Sequence, residues 1–264
     1  MLQIPSIRLP YPTITYSAPK AGKNVVAHTG RWDLRDVKFL KGSTDDLYWT
    51  LITGPGVNPN GNSVIYLTTH FDQQLKRTGV CPNPRRLGGP LILADSTENT
   101  LENNFRAYLQ YINKKKARTP DIVVLLLKSK DQNLYSSFKY FTDKVYALQS
   151  ICITEANLTP RYADWSNTNH LGQYMANIAM KANLKKAGIN HSAPGIQEWL
   201  SKTLVLGADV THPGSGALQG TPSIAAVVGS LEENGGRFRG AMQLQTAKQE
   251  VRYQQIYGHG LIQN

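Results

Sequence analysis

The stretch "DIVVLLLK", residues 121–128, decides the fold. Between its polar ends, Ile122 to Leu127 are apolar without interruption. A strand with one wetted face alternates apolar and polar residues, because successive side chains point to opposite sides of the sheet. A continuous run of this length is instead the pattern of a central parallel strand covered on both faces. Upstream, "DLYWTLITG" (46–54) and "PLILAD" (90–95) read as further strands. Between them, "SVIYLTTHF" (63–71) also reads as a strand, and "HFDQQLKRTG" opens a helix that stops at Gly79. "STENTLENNFRAYLQYINKKK" carries Leu101, Phe105, Tyr108, Leu109 and Ile112 at helical spacing.

Downstream, "SKDQNLYSSFKYFTDKVYALQS" has a helical period and "ICITEAN" reads as a short strand. "HLGQYMANIAMKANLKKAGIN" (170–190) is a helix with Gly188 as its stop. Strand and helix therefore alternate to about residue 190, which predicts an α/β domain with a Rossmann-like, doubly wound, mostly parallel sheet. "NHSAPGIQEW" is a credible boundary. Beyond it "KTLVLGADV" (202–210), "SIAAVVGSLE" (223–232) and "RFRGAMQLQ" (237–245) form a second unit that opens on a strand. The turn "NGG" (234–236) joins its last pair as a hairpin. The first 40 residues, rich in Pro, Thr and Tyr, read as an extended segment packed along a neighbour.

Composition narrows the partners. The chain has 264 residues, 29 basic and 18 acidic side chains, and a net charge of +11. That balance favours a polyanion, nucleic acid before a membrane surface. No Asp or Glu occurs from Trp165 to Gln197, where Lys181, Lys185 and Lys186 fall, whereas "KKKAR" (114–118) reads as a solvated helix end. The apolar runs are too short to span a bilayer, and "MLQIPSIRLPYP" lacks the plan of a signal peptide. A cytoplasmic protein with no membrane partner is expected, its Cys81 and Cys152 both reduced.

Two regions carry candidate chemistry. A loop after the central strand feeds a helix with Tyr135 and Lys139 four residues apart, on one face near the helix N-terminus. A helix N-terminus binds phosphate, and a tyrosine ring stacks on a base. The plainer alternative is a half-buried tyrosine and a solvated lysine. Lys181 and Lys185 repeat the spacing. The two pairs converge only if both helices point to one crevice, which in a doubly wound sheet lies at the carboxyl edge of the strands. The second region is "VLGADVTHPG" (205–214), which places Asp209 at a strand end and His212 beside it. Asp209 either caps a turn or holds a metal, and Glu250 in "AKQEVRY" is its candidate partner.

These motifs are recognisable. "LGADVTHP" with "PSIAAVVGS" (222–230) closely resembles the start of the PIWI domain of eukaryotic Argonaute proteins. "GRWDLRDVKF" (30–39) resembles the family's second linker, and "LYSSFK" followed by "MKANLKKAG" resembles the MID-domain elements that bind the 5′ phosphate of a guide RNA. The resemblance implies a linker at residues 1–40, a MID domain at 41–195 and the truncated start of an RNase H-like PIWI domain at 196–264. It implies that Tyr135 stacks on the first guide base while Lys139, Lys181 and Lys185 ring the phosphate. The family has a glutamine just before a cysteine in this pocket. Cys152 fits, Ile151 stands where the glutamine belongs, and Gln149 or Ser150 is the substitute.

For the PIWI part, the resemblance makes Asp209 the first metal-binding aspartate and Glu250 the inserted glutamate of a site holding two Mg2+ or Mn2+ ions. The remaining two ligands would lie further along, so this incomplete site is expected not to cleave, and the chain reads as a fragment of an RNA-guided endoribonuclease. The partners so implied are a small single-stranded guide RNA with a 5′ phosphate, bound by a monomer without a metal, and target RNA in the full-length protein. Two other classes remain. One is a metal-dependent RNA endonuclease using Asp209, Glu250 and His212 or His259. The other is a basic Rossmann-like module for a free nucleotide or a protein.

Overall fold

A computed structural model describes residues 7, 10–17, 25–26, 32–95, 97–114, 118–160, 164–166, 168 and 171–248. In chain order its elements begin with two short strands, β1 (Thr13–Ile14) and β2 (Val25–Val26), paired antiparallel. There follow β3 (Leu47–Thr53), α1 (Asn62–Arg77), β4 (Pro84–Arg86), β5 (Leu91–Ile92), α2 (Glu98–Lys114) and β6 (Ile122–Leu127). Next come α3 (Gln132–Tyr140), a π-helical turn (Phe141–Val145), β7 (Gln149–Thr154), α4 (Glu155–Leu158) and α5 (Leu171–Lys185). The last elements are α6 (Pro194–Leu200), β8 (Leu206–Thr211), β9 (Ser223–Ser230) and β10 (Phe238–Gln245). Two compact units divide between His191 and Ser192.

The first unit is built on β6, buried at every residue and paired in parallel with β3 on one side and β7 on the other. Both β4 and β5 pair in parallel with the far side of β3, and β7 forms the opposite edge. On one face Val123, Leu125 and Leu127 pack with Leu101 and Phe105 of α2 and with Leu134 and Phe138 of α3. On the other, Phe71 of α1 meets Trp49 of β3 edge to face at 4.8 Å, and α5 packs beside α1. Each such apolar side chain taken out of water contributes about 1.5–3 kcal/mol.

Residues 63–71 are not a strand but the first half of α1. Val64, Leu67, Phe71 and Leu75 are buried at helical spacing, while Ile65, which a strand would have placed on an inner face, is 54% exposed. The β-branched residues of this stretch imitate a strand locally. A parallel crossover from β3 to β4 needs a helix to cover the sheet, and that requirement overrides propensity. "PLILAD" also shrinks, to the two residues of β5.

The segment entering β3 is laced to the ends of two helices. Phe39 N–H donates to Thr78 O, Leu40 N–H to Asn190 O and Ser43 N–H to Val80 O, and Lys41 bridges Ile189. At the end of α5, Ala187 and not Gly188 takes the left-handed conformation (φ 58°). Gly188 is needed for space, since a Cβ there would lie 2.1 Å from Asn183 Oδ1.

The second unit is a three-stranded antiparallel sheet in the order β10-β9-β8. Its β9–β10 hairpin closes at the Ser230–Phe238 pair, with Gly235 at φ 64° in the turn. No helix among the described residues is long and apolar enough to cross a membrane.

Candidate anion-binding site

Helix α3 starts where the Asp131 carboxylate accepts the Leu134 N–H at 2.9 Å. Leu134 and Phe138, four apart, fix the buried side of the helix. Tyr135 and Lys139 therefore share its outer side, and the Tyr135 ring is 42% exposed. The ring is thus partly covered and partly open to solvent on that outer side.

Lys139 stands in the last turn of α3. Its Nζ donates to Ser150 Oγ at 2.7 Å and to Ser150 O at 3.0 Å. The Ser150 hydroxyl bonds in turn to the buried Thr142 hydroxyl at 2.9 Å, and Thr142 Oγ1 donates to Asp143 Oδ1 at 3.3 Å. Thr142 and Asp143 belong to the π-helical turn, whose extra residue leads the chain back to β7 through Ala147 at φ 50°.

Side chains alternate along β7, so Ser150 faces α3 while Gln149 faces α5. Lys185, the last residue of α5, reaches Gln149 Oε1 at 3.5 Å, and Lys181 lies one turn earlier. Because β7 is an edge strand, helices on opposite faces of the sheet deliver their lysines to one place. Ile151 is buried and unavailable to a ligand, whereas Gln149 is exposed. Gln149 stands on the same face as Ile151, one pleat nearer the strand's start. Ser150, its alternative, is already held by Lys139 and Thr142.

The electrostatics report the same gathering. Burial draws the Lys185 ammonium below the ordinary lysine range, and the Lys139 and Lys181 charges push it the same way against Asp143. Burial lifts the Cys152 thiol to about 11, although all three lysines pull it down. Lys186 does not join them: its Nζ pairs with Asp121 at 3.0 Å. Of "KKKAR", the described ends are Lys114, exposed, and Arg118, which covers the Tyr48 ring at 4.5 Å.

The pairs do converge, but at the opposite edge from the one expected. Lys139 and Lys185 sit at helix C-termini beside the amino end of β7, where the negative end of each helix dipole favours an ammonium. Among the described residues, no helix N-terminus takes part. At the carboxyl edge, Glu155 accepts from Ser63 Oγ of α1 at 2.6 Å and from Lys128 Nζ at 2.5 Å. Burial raises the pKa of this carboxyl, but those two bonds outweigh it and hold the group below the usual carboxylate value. A cavity of about 490 Å³ lies elsewhere, lined by Arg35, Gln74, Arg77 and Met175 among others. Its two guanidinium groups are paired with Asp33 and Asp36.

In the second unit Asp209 is exposed on β8, opposite Ala226. His212 Nδ1 lies 2.8 Å from the buried Ser223 hydroxyl, which also accepts the Lys248 N–H at 3.0 Å. Glu250 and His259 lie outside the described residues. Among the described residues, no group of three His, Cys, Asp or Glu side chains can hold a metal ion. Both cysteines are free thiols.

Comparison with known proteins agrees with this architecture. A family model described as the Piwi domain matches residues 122–261. Among curated proteins, protein argonaute MEL1 of Oryza sativa subsp. japonica is 27% identical over 267 residues, covering 95% of this chain and 23% of the relative. The Argonaute of Schizosaccharomyces pombe is 29% identical over 261 residues, covering 95% of this chain and 28% of its own. The chain thus spans about a quarter of the length of these relatives. The C-terminal lobe of a budding yeast Argonaute superposes with a TM-score of 0.70 at 20% identity, over 92% of this chain and 50% of that one. The MID–PIWI domains of N. crassa QDE-2 give 0.57 at 23% identity, over 79% and 54%. These likenesses give the fold, a Rossmann-like MID sheet followed by PIWI strands.

Proposed function

The chain belongs to the Piwi-domain family as an Argonaute, and on that premise we propose that it holds the 5′-phosphorylated end of a small single-stranded guide RNA in gene silencing. One observation carries the reading: lysines from two helices reach adjacent residues of one strand, Lys139 to Ser150 and Lys185 to Gln149, and Tyr135 shares the outer side of α3 with Lys139. Lys139, Lys181 and Lys185 offer charge-assisted donors to the phosphate, and Gln149 offers a neutral one. Tyr135 stacks on the first base, a contact that tolerates any base because all have a π face. A terminal phosphate carries close to two negative charges at neutral pH, whereas an internal phosphodiester carries one. Nothing in this reading needs a metal. The partner in the whole protein is target RNA, in the cytoplasm.

The test compares two oligonucleotides that differ only in a 5′ phosphate or a 5′ hydroxyl, at fixed salt. The phosphorylated one binds more tightly to the wild type, and Lys139→Ala with Lys185→Ala removes the difference. Equal affinity for both on the wild type sinks the proposal.

The nuclease reading has less support, because Asp209 stands without a described carboxylate partner. It requires cleavage with Mg2+ or Mn2+ that disappears on Asp209→Ala. In the free-nucleotide reading a nucleotide phosphate would enter at the carboxyl edge, where the Lys128 ammonium is already engaged by Glu155.

A further inference from the structure

We propose that Asp121 is a positioning residue of the anion site: its ion pair with Lys186 sets the last turn of α5 and so holds Lys185 beside Gln149. The inference deepens the guide-binding reading and rests on it. Lys185 and Lys186 are consecutive, and Lys186 still closes the last helical turn, its N–H donating to Ala182 O at 3.1 Å. Successive helical residues point about 100° apart, so the two ammonium groups reach for different strands. Lys185 goes to Gln149, the first residue of β7, at 3.5 Å. Lys186 goes to Asp121, one residue ahead of β6, at 3.0 Å. The parallel register pairs Gln149 with Ile122, so the two acceptors stand on neighbouring strands at one end of the sheet.

The two contacts differ in what they can fix. The Lys185 contact is long, and that ammonium has to turn to a ligand, so it cannot set the helix end. The Lys186 pair is shorter, and its side chains are only 21% and 17% exposed, where water screens charge poorly. Asp121 is itself held. Its Oδ2 accepts the Tyr48 N–H of β3 at 2.8 Å, and its own N–H donates to Tyr48 O at 2.7 Å. Arg118 lies 3.9 Å from the same carboxylate, but it is mostly exposed and lies over the Tyr48 ring. Asn183 ties the same turn of α5 to Lys41 and Asn190, which lie outside the sheet, whereas Asp121 ties it to the strands. Beyond Lys186 the helix stops at once, with Ala187 at φ 58°. Loss of the pair therefore displaces Lys185 first and Lys181, one turn earlier, less.

The experiment uses the full 264-residue chain and two RNAs of one sequence, carrying a 5′ monophosphate or a 5′ hydroxyl, at one salt concentration. Its readout is the ratio of the two affinities, which a general loss of positive charge leaves nearly unchanged because it weakens both. Asp121→Asn and Lys186→Met each lower the ratio about fivefold, less than a whole charge-assisted hydrogen bond, and the double variant lowers it no further because the pair acts as one unit. Lys186→Arg keeps the ratio, and so does Arg118→Met. The proposal is overturned if Asp121→Asn leaves the ratio unchanged, or raises it by releasing Lys186 to the phosphate. It is overturned equally if Arg118→Met lowers the ratio as far. Melting curves show which variants are folded; where Asp121→Asn is not, an unchanged ratio in Lys186→Met overturns the proposal, and a lowered one restored by Lys186→Arg upholds it. If the wild type binds the two RNAs alike, the guide-binding reading itself fails.

Discussion

Lys185 shows how the proposed anion site is set against the stability of the free protein. Its pKa is lowered in the folded state, so between that value and the ordinary lysine value the unfolded chain holds the proton more firmly. Stability of the RNA-free protein therefore rises with pH across that window. Lys185→Met removes this slope and raises Tm by about 1–3 °C at neutral pH, since a fraction of a kcal/mol moves a domain of this size that far. The same variant weakens binding of 5′-phosphorylated RNA. In the wild type that binding declines in alkali before an ordinary lysine would lose its proton. It also declines below about pH 6, as the phosphate takes up its second proton. Calorimetry against pH, with and without RNA, checks both limbs. Tyr135→Ala costs about 1–3 kcal/mol of RNA affinity, and Tyr135→Phe restores it, because the ring and not the hydroxyl makes the stack.

At the scale of elements, the close approaches between segments decide what the chain tolerates. Gly42 lies against the end of α1, where a Cβ would come within 1.8 Å of Gly79 O. Backbone cannot step aside there, so Gly42→Ala unfolds the segment from α1 and lowers Tm severely. Gly188→Ala meets the Asn183 side chain instead, which is fully buried and bonded to Lys41 O and Asn190. It costs about 1–3 kcal/mol, the usual penalty of overpacking, measurable by urea denaturation. Elements with a strong local signal were legible beforehand: β6 from its unbroken apolar run, α2 and α5 from helical spacing, and the β9–β10 hairpin from its turn. Helix α1 was not, because its β-branched residues favour a strand and only the crossover it must make favours a helix. The π-helical turn leaves no compositional signal at all. Hence Thr142 and Asp143 were invisible as members of the site while Tyr135, Lys139, Lys181 and Lys185 were not. The edge at which the lysines meet was misjudged for a related reason. Spacing shows which side of a helix a residue occupies, but the end it serves depends on where the next strand begins.

For the molecule as a whole, charge sets the background over which recognition must stand out. With a net charge of +11, any RNA binds at low salt through released counterions. Raising the salt lowers affinity for phosphorylated and hydroxyl oligonucleotides alike. The ratio between them falls far less, because the site presents few lysines in fixed positions. A plot of log affinity against log salt, run for both oligonucleotides, gives nearly parallel lines for the wild type and coincident ones for the Lys139→Ala, Lys185→Ala double variant.

The position of the cluster on β7 also orders events during synthesis. Strands β3 and β6 and helix α2 can assemble as soon as they emerge, yet the lysine site needs the edge strand and then α5, whose Lys181 and Lys185 are the last of its parts to be translated. A nascent chain that stops short of residue 185 has a sheet and no completed grip. On the proposed reading, binding of a phosphorylated end requires that β7 and α5 both be in place.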